Sequence, residues 1–392
     1  MKYTSASLHS QLPSLLVDPA ELENLMTPLL AIYPDIVDSN IKVTLGVLNV
    51  KTDRWQPHLK TAKLSNTMKQ FCQHGVKQFK CATTLEMLIA CQAGAKEVLL
   101  SYPSMGTRAR RVREIATMYP QVRISATIED AEQVKQWKGS SVALYIDINP
   151  GMNRTGIDQK RIADIVALAT SIRREGIEFM GLHYYDGHNR QPDLEERKAA
   201  AYPGYEQLLR IAESVRETKI QVDMLITSGT PALPCAASFP GFRDGSILHR
   251  VSSGTVVYGD LLSASQLPEE WGYRFGALVI ASVISHPTPG LITCDAGHKA
   301  VSSDAGLPNC TVLGHPELEP QRPSEEHLPI RVPEGVPVPG IGEILYLVPK
   351  HICPTVNNFD LALLVRNRKI IEIARVSARG RESQRLAVLP KR

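Results

Sequence analysis

Between about residues 20 and 260, short apolar runs alternate with longer stretches whose apolar positions recur at three- and four-residue spacing. That alternation is the pattern of strands and helices taking turns along a parallel sheet. Residues 78–82, 97–101, 123–126, 142–148, 178–183 and 224–227 are the predicted strands, and residues 84–94, 108–119, 159–175 and 195–217 the predicted helices between them. Their number and spacing, with no tight hairpin turn joining two strands, predict an α/β architecture built on a (β/α)8 barrel. After residue 262 the texture changes. Residues 275–286, 290–294, 343–348 and 361–366 predict strands separated by Pro, Gly and Asn, whereas 314–339 is so rich in Pro and Glu that it predicts a loop. The expected organisation is a barrel over residues 20–261 followed by a mainly β domain over 262–380. Residues 1–19 are a candidate completing strand of that domain, and the tail 378–392 is expected to be weakly ordered.

Composition narrows the picture by exclusion. A chain of 392 residues exceeds what one hydrophobic core usually supports, so two domains are expected. The net charge of +4 is spread without a basic tract, which does not suggest a nucleic-acid partner. Seven cysteines, an odd number without repeated spacing, point to a reducing, cytoplasmic setting instead of a disulfide framework. Residues 1–19 carry one lysine and no apolar run of signal-peptide type, and no stretch approaches the ~20 apolar residues of a membrane span. No membrane partner is expected.

Candidate chemistry begins at Gln56-Pro57-His58-Leu59-Lys60-Thr61-Ala62-Lys63, where an extended X-Pro segment delivers a lysine at a strand end. A lysine that acts as a nucleophile must shed its proton, and His58 and Lys63 are cationic neighbours of the kind that assist this. Alone, such a lysine is usually a surface charge. The run 147–156 places Arg154 in a glycine-flanked loop after an apolar strand, where a planar cation can meet a phenolate or carboxylate; an ordinary capped turn is the competing reading. Thr227-Ser228-Gly229-Thr230-Pro231 and Ser252-Ser253-Gly254-Thr255 follow apolar segments with small hydroxyl residues and glycine, as phosphate-cradling loops do and as ordinary turns also do. His351 and Cys353, two apart on an expected strand entering a loop, would project from one face and suit a borderline-soft ion, zinc first. A buried cysteine beside a hydrogen-bonded histidine is the plainer reading of those two residues alone.

Taken in order, these segments resemble the alanine-racemase-like barrel family of pyridoxal-phosphate (PLP) enzymes, and within it the group of D-threonine aldolases, D-serine dehydratases and D-threo-3-hydroxyaspartate dehydratases. The resemblance is carried by residues 57–61, 81–86, 147–156, Tyr185-Asp186-Gly187-His188, 227–231, 254–260, 295–297 and 349–355, which span nearly the whole chain. It implies that Lys60 holds PLP as a Schiff base and removes the Cα proton, that Arg154 lies near the pyridine O3′, and that Ser228, Gly229, Thr230, Gly254 and Thr255 surround the phosphate with Tyr258 close by. Tyr185 is implied for the cofactor ring and His188 for the substrate face. His351 and Cys353 are implied ligands of a divalent metal, zinc first, with manganese or magnesium as alternatives.

Within the resembling group, dehydratases carry His-x-Cys and D-threonine aldolases His-x-Asp, so Cys353 favours elimination of water from a D-β-hydroxy amino acid, giving a 2-oxo acid and ammonia. The alternatives are retro-aldol cleavage to glycine and an aldehyde, amino-acid racemisation, and a non-catalytic PLP carrier; the residues after 262 speak against the last. A small-molecule D-amino acid partner and a homodimer are expected by the same analogy. Two positions depart from the group's Arg-Pro-His-x-Lys-Thr-His-Lys pattern: Gln56 stands for the arginine and Ala62 for the second histidine.

Overall fold

A computed structural model describes residue 13 and residues 15–382. Residues 1–12, 14 and 383–392, where most of the expected N-terminal strand and of the weakly ordered tail fall, lie outside the described residues. The chain divides into two compact units, one containing Leu45–Lys60 and Met68–Gly254, the other containing Thr61–Thr67, Thr255–Arg379 and the N-terminal residues up to Thr44.

The first unit is the barrel. Seven parallel strands follow one another in order: Gln78–Cys81, Glu97–Leu100, Arg123–Ile128, Ala143–Asn149, Phe179–Tyr184, Met224–Thr227 and Leu248–Val251. The sheet closes through residues 55–59. Trp55 bridges Val251 and His58 bridges Lys80, both in parallel, with Gln56 N donating to Val251 O at 2.9 Å and Leu59 N to Lys80 O at 2.7 Å. Pro57 has no N–H to give, which keeps this eighth stave irregular. Almost every residue of the strands is buried, as parallel strands covered on both faces require.

Local signals fix the covering helices. Thr83 caps Thr84–Ala93 by accepting from Glu86 N, and Gly94 ends it in the left-handed region at φ 103°. Asp193 caps Leu194–Glu217. Gly106–Met118 and Ile162–Arg174 agree with expectation to within a few residues.

The second unit is a mainly β sheet in the order Glu319–Pro320, Leu328–Arg331, Leu291–Cys294, Ala277–Thr288, Leu29–Ile32, Leu361–Arg366 and Lys369–Arg375; Ile344–Pro349 also pairs with Ala277–Thr288 and with Cys310–Val312. Two expectations are corrected here. Residues 20–44 were expected in the barrel, but Leu29–Ile32 sits between Ala277–Thr288 and Leu361–Arg366. A four-residue apolar run reads alike in either sheet, so periodicity could not assign it. The expected loop 314–339 contains two strands, because Leu328, Ile330 and Val332 alternate inward onto the core despite the surrounding prolines and glutamates. Leu15 and Val17 pack into this unit's other core cluster beside Phe275 and Tyr346.

Candidate functional site

In the barrel unit, Lys60 follows the closing stave, and its backbone N–H donates to His58 Nδ1 at 3.2 Å. Its Nζ lies 6.0 Å from the centroid of the Tyr185 ring, which also meets Lys80 Nζ at 5.6 Å and the Arg154 guanidinium carbon at 4.7 Å. The fold thus brings Lys60, Arg154 and Tyr185 together around one aromatic face, a favourable cation–π arrangement. Arg154 is presented by a loop that Asn149 organises, its Oδ1 accepting from both Gly151 N and Asn153 N at 3.0 Å. His188 is exposed beside that loop, its Nε2 3.9 Å from where a Cβ on Gly151 would stand.

Beneath Tyr185 runs a buried polar chain that sequence reading missed. Lys80 Nζ lies 3.3 Å from His183 Nε2, and His183 Nδ1 lies 2.7 Å from Asp147 Oδ1. All three residues are buried on barrel strands. Burial, then the positive charge of Lys60, push Lys80 down to about 7 against the pull of Asp147. Burial likewise lowers His183, with Lys80 adding to the effect, and holds His58 well below its usual value. Asp186 is pushed up to about 6 by burial, although Tyr205 Oη donates to its Oδ2 at 2.5 Å. The available signal was a polar residue inside a buried strand, as Lys80 is beside Gln78 in 78–81 and His183 is in 179–184.

The barrel also holds buried hydroxyls. Ser228 Oγ, Thr230 Oγ1 and Ser252 Oγ have no hydrogen-bond partner among the described residues. Ser228 is held at φ 58°, a conformation a non-glycine residue adopts rarely. Ser253 Oγ donates to Gly229 O at 3.1 Å, tying the two loops together. A Cβ at Gly254 would collide with the His58 carbonyl, and one at Gly229 would meet the Tyr185 ring at 3.0 Å, so close approach explains both glycines. Gln56 is buried in the barrel wall, where its Nε2 donates to Phe79 O at 3.0 Å and its Oε1 accepts from Arg250, itself paired with Glu97 at 2.7 Å.

Thr255 and Tyr258, expected at the phosphate, belong to the other unit. Their hydroxyls lie 3.3 Å from Cys353 Sγ and 2.8 Å from the Thr67 hydroxyl, respectively. His351 and Cys353 are not on a strand as expected. The strand Ile344–Pro349 ends first, His351 is the N-cap of the short helix Ile352–Asn357, and Cys353 lies in its first turn. Asp260 fixes this junction by accepting from Ile352 N at 3.0 Å and Ser263 N at 2.7 Å.

Cys353 Sγ is 2.9 Å from Thr61 Oγ1, and His351 Nδ1 is 2.7 Å from Asp304 Oδ2. Burial alone would lower His351, but its hydrogen bonds to Cys353 and Asp304 and the negative charges of Cys353 and Asp260 raise it to about 9. Imidazole and thiol are therefore in contact, a donor pair suited to a borderline-soft ion. Among the described residues, no group of three His, Cys, Asp or Glu side chains that could hold a metal ion is present. No disulfide joins any of the seven cysteines, and no helix among the described residues is long and apolar enough to cross a membrane.

Residues 37–261 match the family model described as "Alanine racemase, N-terminal domain", and residues 276–365 match that described as "Putative serine dehydratase domain". The chain is 25% identical to a D-threonine aldolase of Arthrobacter sp. over 338 residues, 83% of this chain and 85% of the relative. It is 26% identical to a 3-hydroxy-D-aspartate aldolase of Paracoccus denitrificans, covering 93% and 94% of the two chains. Among solved structures, D-threonine aldolase from Filomicrobium marinum superposes with a TM-score of 0.81 at 24% identity, covering 91% of this chain and 96% of that one. D-threo-3-hydroxyaspartate dehydratase from Delftia sp. HT23 gives 0.78 at 19% identity, covering 93% and 100%. These likenesses agree with the expected barrel and mainly β architecture.

Proposed function

The chain belongs to the alanine racemase N-terminal domain family, and on that premise we propose that it is a PLP- and metal-dependent lyase that eliminates water from a D-β-hydroxy amino acid. The observation that carries the reading is that, of the four buried, unpartnered hydroxyls described in the unit that also holds Lys60 (Thr127, Ser228, Thr230 and Ser252), three, Ser228, Thr230 and Ser252, fall in the two loops tied together by Ser253 and Gly229. An unsatisfied buried polar group costs about 1–3 kcal/mol, so three in adjoining loops are best explained by a ligand that accepts from them. A phosphate does so.

Lys60 would hold PLP, with Arg154 and Tyr185 flanking the ring; PLP supplies the electron sink for charge developing at Cα. The Lys60 amine, once free of the cofactor, would be the base that takes the Cα proton. His351 and Cys353 would hold the divalent metal, which supplies Lewis-acid assistance to a departing hydroxyl. Two protein donors leave positions open, as a catalytic ion requires. Loss of the Cα proton and the β-hydroxyl amounts to loss of water, and hydrolysis then yields a 2-oxo acid and ammonia. The Thr61 and Thr255 hydroxyls lie within hydrogen-bond distance of Cys353 Sγ and would hold the sulfur in place. His188, exposed beside the Arg154 loop, is assigned to the substrate side, and a homodimer is the assembly proposed.

A second reading is favoured by the names of the curated relatives, both aldolases. There the β-hydroxyl loses its proton, the Cα–Cβ bond breaks, and glycine and an aldehyde leave. Incubation with D-serine, D-threonine and D-threo-3-hydroxyaspartate, assaying 2-oxo acid plus ammonia against glycine plus aldehyde, separates the two. Turnover of the L-isomers alone would overturn the stereochemistry, and a protein that gains no cofactor absorbance with added PLP would overturn both readings.

A further inference from the structure

Asp304 stands 47 residues before His351 in the chain, yet the two side chains meet inside a closed ring of hydrogen bonds. His351 Nδ1 lies 2.7 Å from Asp304 Oδ2. The other carboxylate oxygen of Asp304 accepts from Ser302 Oγ at 2.9 Å. Ser302 N donates to Thr355 Oγ1 at 3.2 Å, and Thr355 Oγ1 donates to the His351 carbonyl at 2.9 Å. The carboxylate is thus braced from behind, and the brace is anchored to the backbone of the residue that the carboxylate orients.

A lone exposed ion pair contributes little, about 0–1 kcal/mol, and needs no second strut. A braced carboxylate on one imidazole nitrogen has a specific chemical consequence. It accepts a hydrogen bond from Nδ1–H, so the lone pair of the neutral ring is at Nε2, and it stiffens the ring plane. This is the arrangement by which an outer carboxylate orients a metal-binding histidine and increases its basicity. We propose that Asp304, held by Ser302, is a positioning residue that presents Nε2 of His351 to the metal. The inference rests on the metal reading above and adds to it a residue that carries none of the metal's ligand atoms.

The test uses the full-length, PLP-loaded protein, stripped with a chelator and titrated with Co²⁺ and then with Zn²⁺ in competition. Cobalt reports coordination directly, through its thiolate-to-metal absorbance and its d–d bands. Asp304→Asn is expected to weaken Zn²⁺ binding about 10- to 100-fold while leaving the cobalt spectrum unchanged in shape. Asp304→Glu should recover most of the affinity. Ser302→Ala, which removes the strut and keeps the carboxylate, should cost a smaller factor in the same direction. Affinity of Asp304→Asn within twofold of the native protein would overturn the inference. So would altered d–d bands in that variant, which would make Asp304 a ligand itself. A native protein that binds neither ion would overturn the metal reading and this inference with it, a result distinct from failure of the variant alone.

Discussion

The two units arrange their buried polar groups differently. The barrel keeps Lys80, His183 and Asp147 in one buried chain with Asp186 enclosed as well, and their mutual contacts keep burial from being prohibitive. The β unit has two apolar clusters, around residues such as Val279, Ile292 and Leu347, and around Ala31, Leu278 and Leu363. Its buried carboxylate, Asp260, serves the strand-to-helix turn at which His351 and Cys353 sit. On the proposed function, the barrel's cofactor site lies among groups whose burial also bears on stability, whereas His351 and Cys353 lie outside the apolar clusters of the β unit, and substitutions in the two units should have different consequences.

The sharpest break comes from Lys60→Ala. Turnover is expected to fall by about 10³-fold or more, since on the proposed function the same amine would anchor the cofactor and move the proton, and the absorbance of lysine-bound PLP should vanish with it. Cys353→Ala tests the other unit. Turnover should fall by about 10²-fold or more through loss of the metal's assistance, while the cofactor–lysine absorbance persists. Loss of both signals in the Cys353 variant would break the comparison, because the two units would then not be separable.

A third substitution sharpens the barrel's side of the contrast. Gly254→Ala drives a Cβ onto the His58 carbonyl. Backbone has nowhere to go in a closed sheet, so a loss of about 2–4 kcal/mol is expected, read as a lower urea midpoint in protein without added cofactor. A midpoint unchanged from the native chain would mean that the stave and the 252–254 loop yield freely.

How far these features could be read from sequence follows the same division. The barrel strands were legible because parallel strands buried on both faces must be near-continuous apolar runs, and the six predicted ones each match an observed strand. Lys60, and His351 with Cys353, were singled out only by the ordered set of resembling segments, since each alone had a plainer structural reading. Lys80 and His183 were hidden by the very burial that makes them unusual: a polar letter in a buried strand leaves the strand prediction unchanged. Asp304 was invisible for another reason, since a hydrogen bond spanning 47 residues leaves no local pattern. The strands at 319–320 and 328–331 were masked by prolines, whose loop signal outweighed a three-residue alternation.

Lys80→Met has the smallest net effect and tests whether the barrel's buried cation is a burden on folding. Lys80 titrates near 7 in the folded chain against 10.5 as its ordinary value. Between those values the unfolded chain binds the extra proton, so this group makes stability rise with pH from about 7 to about 10.5. Asp186, raised to about 6, has the opposite sign but acts between about 4 and 6. His351, raised to about 9, makes stability fall with pH between 6.5 and 9, but it is common to both proteins and cancels in the difference. Methionine removes the cost of burying the amine and also leaves His183 Nε2 without its partner, a loss of about 1–3 kcal/mol, so the net change at pH 7 should be small. The slope is the discriminating quantity. Urea unfolding at pH 7 and pH 9.5 should show the native chain gaining about 1–3 kcal/mol relative to Lys80→Met on going to the higher pH. A difference that stays flat would mean that Lys80 keeps its proton inside the folded barrel, with Asp147 compensating it through His183.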